Sequence, residues 1–118
     1  MAVALVILTY NGRAFIDDCL ASLTALGTPA EVVVADNGST DGTLDHLRDR
    51  WPAVRALDLG RNWGFAEGYN RALAQTPADW WVLLNPDARL APDWLAHLLA
   101  FAETRPAAAI LGGKLLFT

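Results

Sequence analysis

Short apolar runs that end in polar residues recur along this chain, and the clearest of them covers positions 80–84 and ends in Asn85-Pro86-Asp87. The run is short for a helix and apolar at every position, which is typical of a parallel strand covered by helices on both faces. Ligands of parallel sheets bind beyond the carboxyl ends of the strands. The pattern therefore predicts a central strand that carries Asn85 and Asp87 to a binding edge.

The rest of the chain alternates between strand and helix patterns. Short apolar or β-branched runs predict strands over 3–9, 31–36, 54–59, 80–84 and 108–117, the third of them nearer an edge. Apolar residues at helical spacing predict helices over 13–26, 41–50 and 65–75, and a fourth that begins at 91–93 with Pro92 in its first turn. Gly27 is placed to cap the first helix, and Ser39 or Thr40 the second. We expect an α/β fold with three layers, α/β/α, and a mainly parallel central sheet.

Composition narrows the classes of function. The 118 residues fit one domain, and 53% hydrophobic with 19% charged residues indicates a globular chain. A net charge of −4 without a basic run argues against nucleic acid as a partner, and no apolar run is long enough for a transmembrane segment. We therefore expect a cytoplasmic protein, or one peripheral to the inner membrane face. Cys19 lies on an apolar helical stripe, so we expect a buried, inert thiol.

Polar residues follow three of the predicted strands, and the ends of parallel strands share one edge of a sheet. They are Thr9, Tyr10 and Asn11 after the first strand, Asp36 and Asn37 after the second, and Asn85 and Asp87 after the fourth. Asp36 can accept hydrogen bonds from a base, and Tyr10 can stack on it. Asp87 offers the hard oxygen that Mg²⁺ or Mn²⁺ on a diphosphate requires. The set suits a ligand with a flat ring, a sugar and a diphosphate.

These residues also have purely structural interpretations. Asn37-Gly38 and Asn85-Pro86-Asp87 are common turn sequences, and Asp36 or Ser39 can simply cap a helix. Trp80, Trp81 and Trp94 are expected in the core rather than in a platform for a sugar. His46 and His97 lie inside predicted helices without a partner at metal-ligand spacing, so we expect them to be structural or exposed to solvent.

Other α/β nucleotide binders match less well. A dinucleotide-binding domain has a Gly-x-Gly-x-x-Gly loop after its first strand, where this chain has Thr9-Tyr10-Asn11-Gly12-Arg13. The Gly-Lys-Ser/Thr loop of phosphate-binding NTPases is also absent, and Arg13 alone does not make the basic, glycine-rich loop of a sugar nucleotidyltransferase.

Four segments together resemble glycosyltransferase family 2, the inverting nucleotide-sugar transferases with the Rossmann-like GT-A fold. In order they are 6–11 (VILTYN), 33–43 (VVADNGSTDGT), 61–72 (RNWGFAEGYNRA) and 83–87 (LLNPD). Their order and spacing resemble those of the family over nearly the whole chain. The Asn-Pro-Asp sequence at 85–87 is similar to that of the family branch that includes bacterial rhamnosyltransferases. This similarity implies a dTDP- or UDP-sugar donor and a role in cell-wall polysaccharide biosynthesis.

The resemblance implies a role for each matched polar residue. Thr9, Tyr10 and Asp36 would contact the base and ribose of the donor. Asp87, which matches the last acid of the family's Asp-x-Asp motif, would bind Mg²⁺ or Mn²⁺ on the diphosphate. Asn85 replaces the first acid, which removes one negative charge but leaves a group that can bond a hydroxyl. The matched residues that would line the donor pocket below the sugar are Asn62, Gly64 and Asn70.

Inversion requires a general base that deprotonates the acceptor, a glycan or lipid-linked hydroxyl. In similar enzymes this base is an acid well downstream of the Asp-x-Asp position, and the acids after Asp87 are Asp93 and Glu103, both in the predicted fourth helix. We therefore expect part of a longer glycosyltransferase, with the donor site but without the base. The alternative is a noncatalytic nucleotide-sugar-binding or assembly module. Apolar surface that normally meets a missing half would favour self-association.

Overall fold

The fold is given by a computed structural model, which describes residues 2–104. Its elements alternate between strand and helix along the whole described chain. They are β1 (Val3–Thr9), α1 (Ile16–Thr24), β2 (Glu31–Asp36), α2 (Thr43–Arg50), β3 (Arg55–Asp58), α3 (Phe65–Ala74), β4 (Trp80–Leu84) and α4 (Trp94–Glu103). The strand predicted over 108–117 lies outside the described residues.

The strands form one sheet in the order β3-β2-β1-β4, and all three pairings are parallel. β3 lies at one end of this sheet, as predicted. Within residues 2–104, β4 pairs with β1 alone, so the predicted central position of β4 is wrong for this part of the chain. Its Leu83 side chain is half exposed, and so is that of Trp81, so the predicted core position of Trp81 is wrong. An apolar run shows that polar side chains are absent but does not give the number of neighbouring strands.

Alternate residues of β1 enter two separate cores, because successive side chains of a strand point to opposite faces. Val3, Leu5 and Ile7 pack with residues of α1, α2 and α4 on one face. Ala4, Val6 and Leu8 pack with residues of α3 on the other face. Every residue of β1 is buried. This arrangement confirms the expected three-layer α/β/α fold with a parallel sheet.

Two predicted helix boundaries at α1 are wrong. The helix begins at Ile16, because the backbone N–H groups of Phe15 and Ile16 both donate to the carbonyl of Gly12 in a preceding turn, at 3.1 and 3.0 Å. It ends at Thr24 with Ala25 in the capping position, so Gly27 is not its cap.

The starts of α2 and α4 also differ from the predictions. Neither Ser39 nor Thr40 caps α2, which begins at Thr43; instead the Asp41 carboxylate accepts the backbone N–H of Thr43 at 3.1 Å. α4 begins at Trp94, and Pro92 lies in the turn before it rather than in its first turn. Both differences shorten a helix without moving the strand ends.

Candidate functional site

The carboxyl ends of β1, β2 and β4 meet at one edge of the sheet and open into a cleft of about 350 Å³. The register places Thr9 beside Asp36 and Ile7 beside Leu84, so the three strands end close together. The predicted site residues that line the cleft are Thr9, Tyr10, Asn37, Asn62, Gly64 and Asn85, joined by Leu8, Phe65 and Pro86. The structure thus brings together residues from four separate sequence segments.

The other predicted site residues do not line the cleft. Asn70 is exposed on α3, and Asp87 is exposed in the loop that continues from Asn85. Asn11 and Asp36 take part in hydrogen bonds within and between the loops after β1 and β2. Asn11 and Asp36 therefore hold the loops that border the cleft, and Asp87 lies in the exposed loop that continues from Asn85.

Asp36 is 2% exposed, and its carboxylate is held by Ser39. The carboxylate oxygen Oδ2 accepts the backbone N–H of Ser39 at 3.1 Å, and Oδ1 accepts the Ser39 hydroxyl at 2.5 Å. When a side chain bonds the backbone a few residues further along a turn, it fixes the conformation of the residues in between. Asp36 therefore shapes the loop that contributes Asn37 to the cleft.

Asn11 joins the loop after β1 to the loop after β2. Its backbone has a φ of 52°, a left-handed conformation that asparagine adopts more readily than most residues. Its N–H donates to the Ser39 hydroxyl at 2.8 Å, and its Oδ1 accepts the N–H of Thr40 at 2.7 Å. The backbone N–H of Arg13 adds a bond to the Asp41 carboxylate at 3.2 Å. These bonds fix the two loops relative to each other.

Asn37 is buried, and its side chain forms hydrogen bonds with the loop before α3. Its Nδ2 donates to Asn62 Oδ1 at 3.2 Å and to the Gly64 carbonyl at 3.0 Å. Its Oδ1 accepts the N–H of Trp63 at 2.9 Å. Gly64 has φ 80° and ψ −177°, a conformation that is essentially restricted to glycine. The wall of the cleft formed by Asn62 and Gly64 is therefore held in place by Asn37.

Thr9 carries the one buried side-chain polar atom that has no hydrogen-bond partner among residues 2–104. The residue is 1% exposed, and its Oγ1 occupies space that a side chain at Gly12 would fill. A buried hydroxyl without a partner costs about 1–3 kcal/mol. The hydroxyl is closed off from solvent, so a ligand in the cleft could supply the missing partner only if the turn at Gly12 moves away from Thr9.

The loop after β4 offers few metal ligands. In the part of the chain that the structure describes, no cluster of three or more His, Cys, Asp or Glu side chains could hold a metal ion. Asp87 is exposed, and an Asn85 amide oxygen, phosphate oxygens and water could complete a set of oxygen donors that Mg²⁺ or Mn²⁺ accepts. The residues present therefore fit a metal ion that a diphosphate helps to hold, but they do not form a complete metal site.

Cys19 lies below this loop and is not a reactive group. Burial, and in second place the negative charge of Asp87, raises the pKa of the Cys19 thiol to about 11. The thiol is 1% exposed, so the predicted buried, inert cysteine is confirmed.

Residues 4–116 match the family model of Glycosyl transferase family 2, from β1 to beyond α4. The chain belongs to glycosyltransferase family 2. This result confirms the resemblance carried by the four sequence segments. Among the helices of residues 2–104, none is both long enough and apolar enough to cross a membrane.

A rhamnosyltransferase is among the curated proteins that are similar to this family 2 chain. The N-acetylglucosaminyl-diphospho-decaprenol L-rhamnosyltransferase of Mycobacterium tuberculosis is 37% identical over 119 residues, which cover 91% of this chain and 39% of that protein. The beta-monoglucosyldiacylglycerol synthase of Synechocystis is 30% identical over 107 residues, which cover 84% of this chain and 22% of that protein. The chain therefore spans about two fifths or less of these relatives' lengths.

Two solved glycosyltransferase structures share the fold. TarS 1-349 of S. aureus in complex with UDP-GlcNAc has a TM-score of 0.80 and 27% identity, over 90% of this chain and 32% of its own. The mannosyltransferase PcManGT of Pyrobaculum calidifontis in complex with GDP-Man and Mn²⁺ has a TM-score of 0.78 and 28% identity, over 85% of this chain and 32% of its own. These similarities confirm the GT-A-like fold of the family 2 chain.

Three residues of the site have roles that their sequence patterns did not reveal. Ser39 holds Asp36, Phe65 lines the cleft at 70% exposure, and Tyr69 bonds the backbone of β4. Helical spacing assigns both aromatic residues to the apolar stripe of α3, and the position of Ser39 before a helix assigns it to a cap. The sequence holds weaker indications of the roles of two of them. Ser39 is three residues after the acid that ends β2, and Phe65 directly follows Gly64.

Proposed function

We propose that this chain is the donor-binding part of an inverting glycosyltransferase, which transfers a sugar from a nucleotide diphosphate-sugar to an acceptor hydroxyl. The observation that supports this most is the cleft at the carboxyl edge of the parallel sheet. Its lining combines two aromatic rings, amide groups and a hydroxyl that has no hydrogen-bond partner among residues 2–104. Such groups bind bases and sugars by stacking and hydrogen bonding.

Different parts of the donor are assigned to different residues. Thr9 and Tyr10 receive the base and ribose, since no residue of the described chain bonds the Thr9 hydroxyl and the Tyr10 ring is 50% exposed. Asn85 bonds a sugar or ribose hydroxyl, and Asp87 holds Mg²⁺ or Mn²⁺ on the diphosphate. When bound, the metal ion stabilises the negative charge of the leaving diphosphate. Further contacts below the sugar are assigned to Asn62 and Gly64, and none to Asn70, which does not line the cleft. Support of the loops is assigned to Asn11, Asp36 and Asn37.

We propose a dTDP- or UDP-sugar as the donor, with dTDP-rhamnose favoured. The Asn-Pro-Asp sequence and the similarity to the mycobacterial L-rhamnosyltransferase support this sugar. The complexes of similar structures with UDP-GlcNAc and GDP-Man support a nucleotide-sugar ligand in general. The acceptor is proposed to be a glycan or a lipid-linked hydroxyl, which fits a role in cell-wall polysaccharide biosynthesis.

The general base is proposed to lie outside residues 2–104. After Asp87, the described residues contain two acids, Asp93 directly before α4 and Glu103 at its end, and neither lines the cleft. Inversion needs a base on the face opposite the leaving group. We therefore expect this chain alone to bind the donor without transferring the sugar. If the base is absent from the whole protein, the domain acts as a noncatalytic nucleotide-sugar-binding or assembly module.

Thermal denaturation with and without nucleotide tests the donor site. UDP or dTDP with Mn²⁺, at about 100 times Kd, should raise the Tm by roughly 5–15 °C. Asp87→Asn should abolish the part of this rise that depends on Mn²⁺. Asp49→Asn removes an exposed acid of α2 and serves as the matched control, which should keep the full rise. If UDP, dTDP and GDP all leave the Tm unchanged, with and without Mn²⁺, the proposal is wrong.

We also propose that the chain self-associates through the face of β4 that carries Trp81 and Leu83. These two side chains are 44% and 50% exposed, and large apolar side chains on one strand face favour burial against a partner. Light scattering should give a mass above that of one chain, and Leu83→Lys should lower it. A monomeric mass at all protein concentrations would contradict this.

A further inference from the structure

Tyr69 links α3 to the end of β4. Its hydroxyl donates to the carbonyl oxygen of Leu84 at 2.8 Å, and the residue is 5% exposed. Burial raises the pKa of this phenol above its ordinary value, so the hydroxyl keeps its proton at neutral pH and remains a donor. The bond is therefore a buried contact between α3 and the last residue of β4.

Leu84 is the residue from which the loop 85–87 leaves the sheet. It is the last position of β4 in register with β1, where it lies beside Ile7. Asn85 lines the cleft immediately afterwards, and Asp87 is exposed two residues further on. Because the peptide unit is planar, the orientation of the Leu84 carbonyl also sets the direction in which the chain continues to Asn85. A bond to this carbonyl thus acts on the whole loop.

α3 is itself held closely against the opposite wall of the cleft. A Cβ atom at Gly68 would lie 2.9 Å from Leu8 Cδ2 and 3.1 Å from Asn37 Nδ2, so the helix packs as closely as glycine permits. The Phe65 ring meets the Tyr69 ring edge-on, with centroids 5.0 Å apart. The helix therefore connects Asn37, which supports one wall of the cleft, with Leu84 at the other.

α1 holds the far end of the same loop. The Ser22 hydroxyl accepts the N–H of Leu90 at 3.1 Å, and Arg89 pairs with Asp18 at 2.8 Å on the surface. Both contacts follow Asp87 in sequence. Nearer the start of the loop, the Asn85 carbonyl oxygen accepts the Ala88 N–H at 3.0 Å within the loop itself, and from α1 it receives a long contact, from the Cys19 thiol at 3.9 Å. The contact that fixes this start from the α3 side is the Tyr69 hydrogen bond.

We propose that Tyr69 is a positioning residue for the loop 85–87, and that α3 thereby couples the nucleoside half of the cleft to the metal-binding half. This inference rests on the proposed donor site. If Tyr69 has this role, its hydroxyl is needed to place Asp87 correctly but is not needed for contacts to the base. Tyr69→Phe should therefore weaken the binding that depends on the metal ion and spare the rest.

Isothermal titration of the 118-residue chain with UDP and with dTDP, each with Mn²⁺ and with EDTA, tests this. Tyr69→Phe should lower the affinity in Mn²⁺ roughly tenfold, which is typical when a group that orients a metal ligand is lost. The affinity in EDTA should change less than about twofold. Thr76→Val is the matched control, because it removes another buried hydroxyl bond of the α3 region, from Thr76 to the Ala72 carbonyl at 2.8 Å. It should lower Tm without changing the ratio of the two affinities.

A double-mutant cycle separates positioning from a general loss of stability. In the Asp87→Asn background, Tyr69→Phe should cause no further loss of affinity in Mn²⁺, because the group that it positions is gone. Three results would each overturn the inference. Tyr69→Phe could lower the affinity equally in Mn²⁺ and in EDTA, it could leave the affinity in Mn²⁺ unchanged, or its loss of affinity could add to that of Asp87→Asn in the double mutant. If the wild-type chain binds neither nucleotide in Mn²⁺, the proposed donor site itself fails, which is a separate result.

Discussion

Asn37 Nδ2 donates to Asn62 Oδ1 at 3.2 Å, and this bond joins the loop after β2 to the loop before α3. The same nitrogen also donates to the Gly64 carbonyl at 3.0 Å, so both of its hydrogens are used. Its Oδ1 accepts the N–H of Trp63 at 2.9 Å, so the side chain must donate twice and also accept, as a primary amide does. The identity of residue 37 therefore determines whether one wall of the cleft is held in place.

Asn37→Asp should destabilise the protein by about 2–3 kcal/mol, or roughly 8–15 °C in Tm. The new carboxylate would face two acceptors in a buried position and could donate to neither of them. Asn70→Asp makes the same change at an exposed position of α3 and should leave Tm within about 2 °C of the wild type. Differential scanning calorimetry of both variants measures this. Equal Tm values for the two would show that the amide is not required.

Gly38→Ala should destabilise the protein by about 2–4 kcal/mol in urea denaturation. Gly38 has a φ of 81°, and an added Cβ would lie 2.7 Å from backbone atoms of Arg61 and Asn62, which cannot rotate away. Gly27→Ala is the control, because a Cβ there meets no atom within 4 Å and the φ is not left-handed. We expect it to be neutral or slightly stabilising. A small effect of Gly38→Ala would mean that the loop before α3 can move away from β2.

Thr9→Val should leave the free protein as stable as the wild type or make it more stable by up to about 1 kcal/mol. The lost hydroxyl has no partner among residues 2–104, and valine fills nearly the same space. Thr43→Val, by contrast, removes a buried hydroxyl that donates to the Asp41 carboxylate, and should cost about 1–2 kcal/mol.

The same Thr9→Val variant should show a smaller rise in Tm with UDP or dTDP than the wild type, since a ligand loses its contact to the hydroxyl. In Thr9→Val, the stability of the free protein should therefore stay the same or increase, while the rise in Tm caused by the nucleotide should decrease. Destabilisation of the free Thr9→Val protein as large as that of Thr43→Val would show that the hydroxyl already has a partner.

The strand pattern predicted most of the fold because each strand is marked by a contiguous run of apolar residues in the sequence. The predicted bounds of β1, β2 and β4 agree with the structure, and their carboxyl ends meet as expected. Helix starts were predicted less well, because contacts distant in sequence decide them. The Ser39 hydroxyl, for example, is used by Asp36 and Asn11, so Asp41 takes over at the start of α2.

Most of the polar side chains that line the cleft could be predicted from the sequence, but the separate role of each residue could not. Asn37 and Asn62 are chemically alike, and only a contact across 25 residues shows that the donors of Asn37 are already used. Tyr69 fits an apolar stripe as well as any aromatic residue, and its hydroxyl contact with Leu84 depends on how α3 packs on the sheet. The predicted structural roles of the histidines agree with the structure: His46 bonds Asp17, and His97 is exposed on α4.

Asp17 should make stability depend on pH in the acid range. Its Oδ1 accepts Trp51 Nε1 at 2.7 Å and lies 2.7 Å from His46 Nε2, which links α1 to α2 and to the tryptophan after it. The Trp51 hydrogen bond, together with the His46 contact and the charge of Arg50, lowers the pKa of Asp17 below its ordinary value of 3.8. A carboxyl group whose pKa is lower in the folded state stabilises the protein above its unfolded pKa, and loses this contribution as pH falls through the folded pKa.

Asp17→Asn should therefore be less stable than the wild type at pH 7, and the difference should shrink below about pH 4. The Asp17 side chain is about half exposed, so solvent limits the difference at pH 7 to roughly 1 kcal/mol or less. Urea denaturation from pH 7 to pH 2.5 measures it, with Asp49→Asn as the control for removing one exposed negative charge near α2. If the gap between Asp17→Asn and the wild type stays constant over this range, the hydrogen bonds to Trp51 and His46 do not favour the charged form of Asp17.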